Sequence, residues 1–200
     1  MPETIKLPPP QKDLPYPLMQ ALEKRRSIRK WSDETLTEQE ISNLLWAACG
    51  MTKEATKRSK SKRTAPSATN SQEIKVYVAT KDGVFLYDEN VHALTQILSQ
   101  DISQHIGTQK MMHSAPLKLI YVTDLTKFTS PLYKNDEQKW FFSGSDAAYI
   151  SQNVYLYCAA ANLSTVVLGL VNREKLQEVL GLKDHEKVVY TQVVGRQIVE

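Results

Sequence analysis

The sequence predicts an α+β fold with a mainly antiparallel central sheet flanked by helices. Helical and strand patterns are interspersed without regular βαβ alternation, which argues against a parallel sheet. Two strand-like runs are joined by Lys81-Asp82-Gly83, the turn chemistry of a hairpin. Ser145 to Ala161 is small or apolar almost all round, the mark of a helix buried on most of its circumference. The chain has 200 residues, 42% of them apolar, enough for one continuous core, and shows no internal repeat.

Six of the nine prolines fall in the first seventeen residues, so 1–16 is expected as an extended, proline-rich arm and 17–200 as a single domain. Pro17 suits the first helical position, with Leu18, Ala21 and Leu22 on one face and a basic end at Lys24 to Arg26. Thr37-Glu38-Gln39-Glu40 reads as a capping box. It opens a second helix carrying Ile41, Leu44, Leu45 and Ala48, stopped by Gly50. Residues 52–64 lack periodicity and read as a loop. Ile74 to Ala79 and Val84 to Tyr87 read as the hairpin strands, and His92 to Gln104 as a weakly amphipathic helix. Leu117 to Val122 is a strand after Pro116. The buried helix 145–161, a strand at Ser164 to Leu168, a helix capped by Asn172 and a strand at Lys187 to Val194 complete the order.

Charge and composition exclude several functions. Thr52 to Thr64 holds six cations (Lys53, Lys57, Arg58, Lys60, Lys62, Arg63) against Glu54. That one stretch exceeds the whole formal charge of +3, so the rest is slightly acidic and no nucleic-acid partner is expected. No apolar run approaches the ~18 residues of a membrane span. Met1-Pro2-Glu3 shows no secretory leader, and a cytoplasmic location is the default expectation. Cys49 and Cys158 sit in apolar sequence and read as buried free thiols, while the four histidines lack zinc-site spacing, so no metal is expected.

With only seven glycines and no Walker A or G-x-G-x-x-G, phosphate would have to be held by side-chain cations. Arg25-Arg26-Ser27-Ile28-Arg29 can do this. Residues 25, 27 and 29 alternate onto one side of an extended segment, giving two guanidinium forks around a hydroxyl, a match for a phosphomonoester. The same residues would also serve as a solvated basic helix end. Pro66-Ser67-Ala68-Thr69-Asn70-Ser71-Gln72 could present backbone amides and a carboxamide to a flat heterocycle, or be a plain turn before the strand. Leu168-Gly169 ends a strand where a ligand could approach the main chain, or where the chain simply turns into the next helix.

In this order, R-x-S-x-R, P-S-x-x-N-x-Q and a small-residue helix followed by a strand ending in glycine resemble the FMN-dependent nitroreductase superfamily, from about Met19 to Gly195. Asp82 to Asp88 with His92-Ala93-Leu94, Ala115-Pro116 and Ser151-Gln152-Asn153 look like the branch that contains peptide thiazoline/oxazoline dehydrogenases. The Lys-Tyr pair of that branch's peptide-oxidising members is reversed here as Tyr133-Lys134, so the likeness is one of structural kinship.

The resemblance implies a nitroreductase-like fold in an intertwined homodimer with FMN at the interface. It implies phosphate held by Arg25, Ser27 and Arg29, with Arg26 alongside and Arg196 as a further candidate. Pro66, Ser67, Ala68 and Asn70 would reach the flavin from the partner, and Leu168 and Gly169 would lie near its redox edge. No catalytic side chain is required, because hydride would pass from NAD(P)H through the flavin to a nitroaromatic, quinone or similar small oxidant. A flavin dehydrogenase acting on a peptide azoline or small metabolite, or a non-catalytic FMN-binding dimer, remain as alternatives. The 52–64 segment would either recruit an anionic substrate or be a solvated loop.

Overall fold

The computed structural model describes residues 3–198. Met1 and Pro2 of the expected arm, and Val199 and Glu200, lie outside the described residues. In chain order the elements are β1 (Thr4–Lys6), α1 (Leu18–Lys24), α2 (Glu38–Cys49), β2 (Met51–Lys53), β3 (Lys62–Arg63), β4 (Ile74–Thr80), β5 (Gly83–Asp88) and β6 (Ala93–Leu98). They continue with β7 (Leu117–Asp124), α3 (Asp136–Ala160), β8 (Leu163–Leu168), α4 (Arg173–Val179) and β9 (Glu186–Arg196). Seven strands form one sheet in the order β1-β6-β5-β4-β7-β9-β8, and every neighbouring pair is antiparallel. The α+β class and the antiparallel sheet are as the sequence predicts.

All eight residues of β7 are buried, so both faces of the sheet are covered. On one face Leu44 and Leu45 of α2 and Ala147, Ile150 and Val154 of α3 pack against Val76, Val78, Leu119 and Tyr121. On the other, Ile120, Val122, Val166 and Val193 meet Ile102, Ile106 and Met112 of short 3₁₀ turns and Leu176 and Leu180 at α4. Alternation along β4 and β7 therefore serves two cores rather than one core and solvent.

The capping box is present: Thr37 Oγ1 accepts from the Glu40 amide and Glu40 Oε2 accepts from the Thr37 amide. Asn172 caps α4 by accepting from the Lys175 amide. α3 begins nine residues earlier than expected, at Asp136, because Asn135 caps it and Asp136 and Glu137 complement its N-terminus. Pro17 stands just before the first helical residue, in extended conformation.

Three expectations are corrected. Residues 92–104 do not form a helix. Their weak amphipathicity also fits a strand, and pairing of Ala93 to Leu98 with β5 and β1 decides the outcome. The N-terminal segment is extended but is no free arm, since Thr4–Lys6 is the edge strand of the main sheet and Leu7 is buried. The carbonyls of Pro8 and Pro9 accept from Ser42 and Gln39 of α2, and His92, bonded to the Tyr87 hydroxyl at 2.8 Å, holds Ser42 from the other side. Residues 52–64 are an excursion closed by β2 and β3 pairing with each other, with a Thr56–Ser59 bridge near its tip. Cross-strand pairs, invisible to local periodicity, organise each of these segments. No helix among the described residues is long and apolar enough to cross a membrane.

Buried polar groups lock β7 and β9 to β8 and α3. Tyr121 donates to Gln192 Oε1 at 2.6 Å, Gln192 Nε2 donates to Thr165 Oγ1 at 3.0 Å, and Thr165 donates to the Val193 carbonyl at 2.8 Å. Replacing Tyr121 with Phe leaves Gln192 Oε1 buried without a donor, at an expected cost of about 1–3 kcal/mol. Urea unfolding of Tyr121→Phe should show a lower midpoint at an unchanged m-value.

Candidate cofactor site

Three hydrogen bonds place the Arg25–Arg29 segment. α1 ends with the Arg25 amide donating to the Ala21 carbonyl, and Ile28 then donates to Thr165 of β8 at 3.0 Å. Between them Ser27 Oγ meets the Tyr155 hydroxyl of α3 at 3.0 Å, and that hydroxyl also accepts from the Val167 amide at 3.0 Å. Because the Tyr155 oxygen already accepts from Val167, it can give its own proton to Ser27 and leave the serine hydrogen free for a ligand. The Arg25 guanidinium lies over the Tyr155 ring, 5.3 Å from its centroid. Among the described residues, Arg29 makes a 3.5 Å contact to the Ser27 carbonyl and no ion pair. Arg26 turns back onto the carbonyls of Glu23 and Arg25, so it is the residue that finishes the helix.

Arg29 lines a recess of about 120 Å³ with Thr108, Gln109, Val167, Leu168, Gly169 and Leu170. Leu168 and Gly169 thus lie beside Arg29, at the end of the Arg25–Arg29 segment. A Cβ on Gly169 would touch nothing within 4 Å, so open space and not packing surrounds that residue. Arg26 faces a different recess of the same size, beside Tyr155 and Gln197.

The Pro66–Gln72 loop is built separately. Thr69, Asn70 and Gln72 have φ of 51°, 54° and 53°, left-handed backbone that persists only where the surroundings enforce it. Ala68 N–H donates to Asp146 of α3 at 2.8 Å, Gln72 N–H to Ser67 Oγ at 3.0 Å, and Asn70 Nδ2 to the Ser61 carbonyl at 2.9 Å. Gln72 Nε2 also donates to Ser61, so the base of the cationic excursion is tied to this loop. Lys53, Lys57, Arg58, Lys60 and Lys62 are exposed on it, whereas Arg63 is held by Glu89 and the Ile74 carbonyl.

Within one chain the two halves stay apart. The loop rests on Asp146 and the arginine segment on Tyr155, nine residues on, which is about 14 Å along α3 and half a turn around it. Arg196 does not join either half. Its guanidinium donates to both Glu40 oxygens at 2.9 and 2.8 Å and lies 3.1 Å from Glu34, so β9 is tied to the start of α2. Burial opposes ionisation of Glu40, but the Thr37 amide and hydroxyl, followed by Arg196, outweigh it and hold the carboxyl below the usual range. Phosphate would have to displace two carboxylates to reach Arg196.

A recess of about 550 Å³ lies by the β4–β5 turn, among Asp33, Lys81, Asp101, Ser103, His113 and Lys118, and its lining includes none of the candidate cofactor-binding residues. Among the described residues no group of three or more His, Cys, Asp or Glu is placed to hold a metal. Burial pushes the Cys49 thiol up to about 12 and Cys158 higher still, so neither is a nucleophile. Sequence reasoning missed Tyr155 and Asp146. The available signal was their polarity on a helix otherwise small and apolar.

The Nitroreductase family model matches residues 22–196. The chain belongs to the nitroreductase family. A Methanocaldococcus jannaschii protein provisionally named a nitroreductase is 28% identical over 191 residues, covering 90% of this chain and 91% of its own. A crystal structure from Ralstonia eutropha, also provisionally named a nitroreductase, superimposes with a TM-score of 0.87 at 32% identity, covering 98% of this chain and 90% of that one. Two more distant structures share the fold. One, from Desulfovibrio desulfuricans, is described in complex with FMN (TM-score 0.64, 20% identity, 92% and 88% covered). The other is a chain of the Escherichia coli microcin synthetase McbBCD complex (0.70, 16%, 85% and 67%). In this nitroreductase-family chain, Tyr155 joins helix, sheet and arginine segment through one hydroxyl. Tyr155→Phe keeps the ring beneath Arg25 but leaves the Val167 amide without its acceptor. We expect a loss of about 1–3 kcal/mol and faster hydrogen exchange at Val167, with little change at Val193.

Proposed function

We propose that this protein is an FMN-dependent oxidoreductase that passes hydride from NAD(P)H to a nitroaromatic, quinone or similar small acceptor, working as a homodimer with FMN at the interface. The observation that carries this reading is the pair of guanidinium groups at Arg25 and Arg29, neither in an ion pair among the described residues, around the Ser27 hydroxyl and beside the open space at Gly169. Two cationic forks and a hydroxyl donor fit a phosphate dianion, and a strand end with open space at its glycine fits a flat ring system. The residues therefore fit FMN.

When bound, FMN supplies the ring that takes up and gives back hydride. The chain's own residues bind and orient. Arg25, Ser27 and Arg29 hold the phosphate, and Leu168 and Gly169 border the ring with main chain. Arg26 contributes backbone, since its side chain closes α1, and Arg196 is left out because Glu34 and Glu40 neutralise it. The Ala68 N–H serves Asp146, so the partner loop meets the ring through the Pro66 and Ser67 backbone and what remains of the Asn70 carboxamide.

A dimer is favoured on size and on surface. A recess of about 120 Å³ is smaller than the roughly 300 Å³ at which ligand pockets begin. A second copy would complete it with the loop that one chain holds apart. Leu18 and Met19 of α1 and Phe141 of α3 are 63%, 74% and 69% exposed, apolar area on the two helices that carry the halves. The cationic excursion, anchored to the loop, would stand at the mouth of that composite site.

The test is to purify the protein, record its visible spectrum with FMN, and add NADH and NADPH anaerobically. A yellow protein bleached by either nicotinamide is expected. A protein that takes up no FMN, or whose flavin neither nicotinamide reduces, would overturn the proposal. Arg25→Ala, which removes a charge-assisted phosphate contact, should weaken FMN binding by about 1.5–3 kcal/mol; unchanged affinity would place the phosphate elsewhere.

A further inference from the structure

The Pro66–Asn70 loop stands on two carboxylic acids that the reading above leaves unused. Asp146 is 2% exposed and accepts the Ala68 N–H; Glu73 is wholly buried and accepts the Ser71 hydroxyl at 2.6 Å on Oε2. Both carboxyl groups border the same small space, beside Ala65, Pro66 and Ile150. Glu73 Oε1 has no donor among the described residues. Two carboxylates cannot hydrogen-bond to one another, but an acid and a carboxylate can, so one proton between them supplies the missing donor. The space beside them, about 10 Å³, is at the lower limit of what a single water requires.

Charged groups on the surrounding elements do not remove the need for that proton. Arg63 of β3 lines the same space but sends its guanidinium to the Ile74 carbonyl and to Glu89, beyond the end of β5. Lys75 of β4 pairs with Asp124 and Glu186. From the loop side come the Ser71 and Ser67 hydroxyls, the Ala68 amide and the Gln72 carboxamide, the last bonded to Ser61 and Asn70.

We propose that Asp146 and Glu73 share one proton, and that this proton holds the left-handed Pro66–Asn70 loop in the geometry that meets the flavin, which makes Asp146 a positioning residue; the second half of this rests on the flavin reading above. With the proton present, Asp146 accepts from Ala68 while the pair carries a single charge. Without it, two like charges lie buried together, and the loop anchored on one of them must shift or admit water. Burial, opposed by the Ala68 N–H and then reinforced by the Glu73 charge, pushes the Asp146 carboxyl from 3.8 up to about 7. The folded chain therefore keeps a proton that the unfolded chain releases. The stability this contributes is full below the ordinary aspartate value and is lost as pH rises towards 7 and past it.

The test compares wild type with Asp146→Asn and Glu73→Gln in two measurements between about pH 5 and 8. The first is the Tm of the protein without added FMN, and the second is the Kd for FMN from quenching of its fluorescence. In Asp146→Asn the carboxamide oxygen accepts from Ala68 and its NH₂ donates to Glu73, a permanent copy of the protonated pair. Wild type should lose Tm as pH rises, and its FMN affinity should fall by up to about tenfold per pH unit at the alkaline end, the slope for one proton. Asp146→Asn should lack both trends and bind FMN more tightly than wild type there. Ionisation of FMN itself cancels in the comparison. Parallel Tm profiles for wild type and Asp146→Asn would overturn the shared proton. Distinct Tm profiles with parallel Kd profiles would overturn its action on the loop. Should Asp146→Asn not fold, Glu73→Gln offers the reciprocal donor and is read the same way. Failure of every variant and of wild type to bind FMN would refute the flavin reading, while the Tm profiles would still decide the pair.

Discussion

The structure depends on burying β7 and β9 from both sides. A strand with eight buried residues cannot lie at a surface, so one face takes α3 and the other takes the 3₁₀ turns and α4. The helix side is polar at a few points, and each is matched: Thr123 meets Ser143 at 2.7 Å, and Tyr121, Gln192 and Thr165 form a chain of donors and acceptors. Those contacts fix where α3 crosses the sheet. Once it is fixed, the helix is a ruler: Asp146 holds the Pro66–Gln72 loop and Tyr155 holds the arginine segment and Val167. The positions of the two halves of the site are consequences of core packing.

This division of labour accounts for the character of the site. The parts proposed to face the ligand are cations, hydroxyls and main chain, and they are anchored by buried or half-buried groups behind them. Arg25 and Arg29 can stay uncommitted because Tyr155 and Ile28 already hold their segment. Arg196, of the same residue type but opposite Leu163 at the other end of β8 from Gly169, is instead consumed in structure by Glu34 and Glu40. Residue type marks a candidate; only the acceptors around it separate a ligand group from a structural one.

Much of this was legible in the sequence, and what was not has a common physical cause. Capping at Thr37 and Asn172, the hairpin of β4 and β5 and the buried helix are written in contiguous residues, and all appear. Residues 93–98 were misread as helix because a weak apolar pattern fits either period until a partner strand is known. The edge strand at Thr4–Lys6 and the β2–β3 pair were hidden for the same reason, since both exist only through non-local pairing. At the candidate site, the motifs single out Arg25, Ser27, Arg29 and Gly169 as candidates, while Tyr155, Asp146 and Glu73 carry no local signal because their contacts come from what lies opposite them in space. The separation of the two halves followed only from the family resemblance, and the placement of α3 gives it a physical basis.

In the proposed dimer, each flavin site combines the arginine segment of one subunit with the Pro66–Asn70 loop of the other. Subunit mixing tests it most directly. A chain carrying Arg25→Ala and Arg29→Ala and a differently tagged chain carrying Asn70→Leu, each unable to retain FMN alone, are co-expressed and the mixed dimer is isolated through both tags. In a two-fold dimer, one site of the mixed species then receives both damaged halves and the other receives both intact halves. Recovery of FMN at one site per mixed dimer is the result this account predicts. A mixed dimer that retains none would mean that both halves belong to the same chain, and would contradict it.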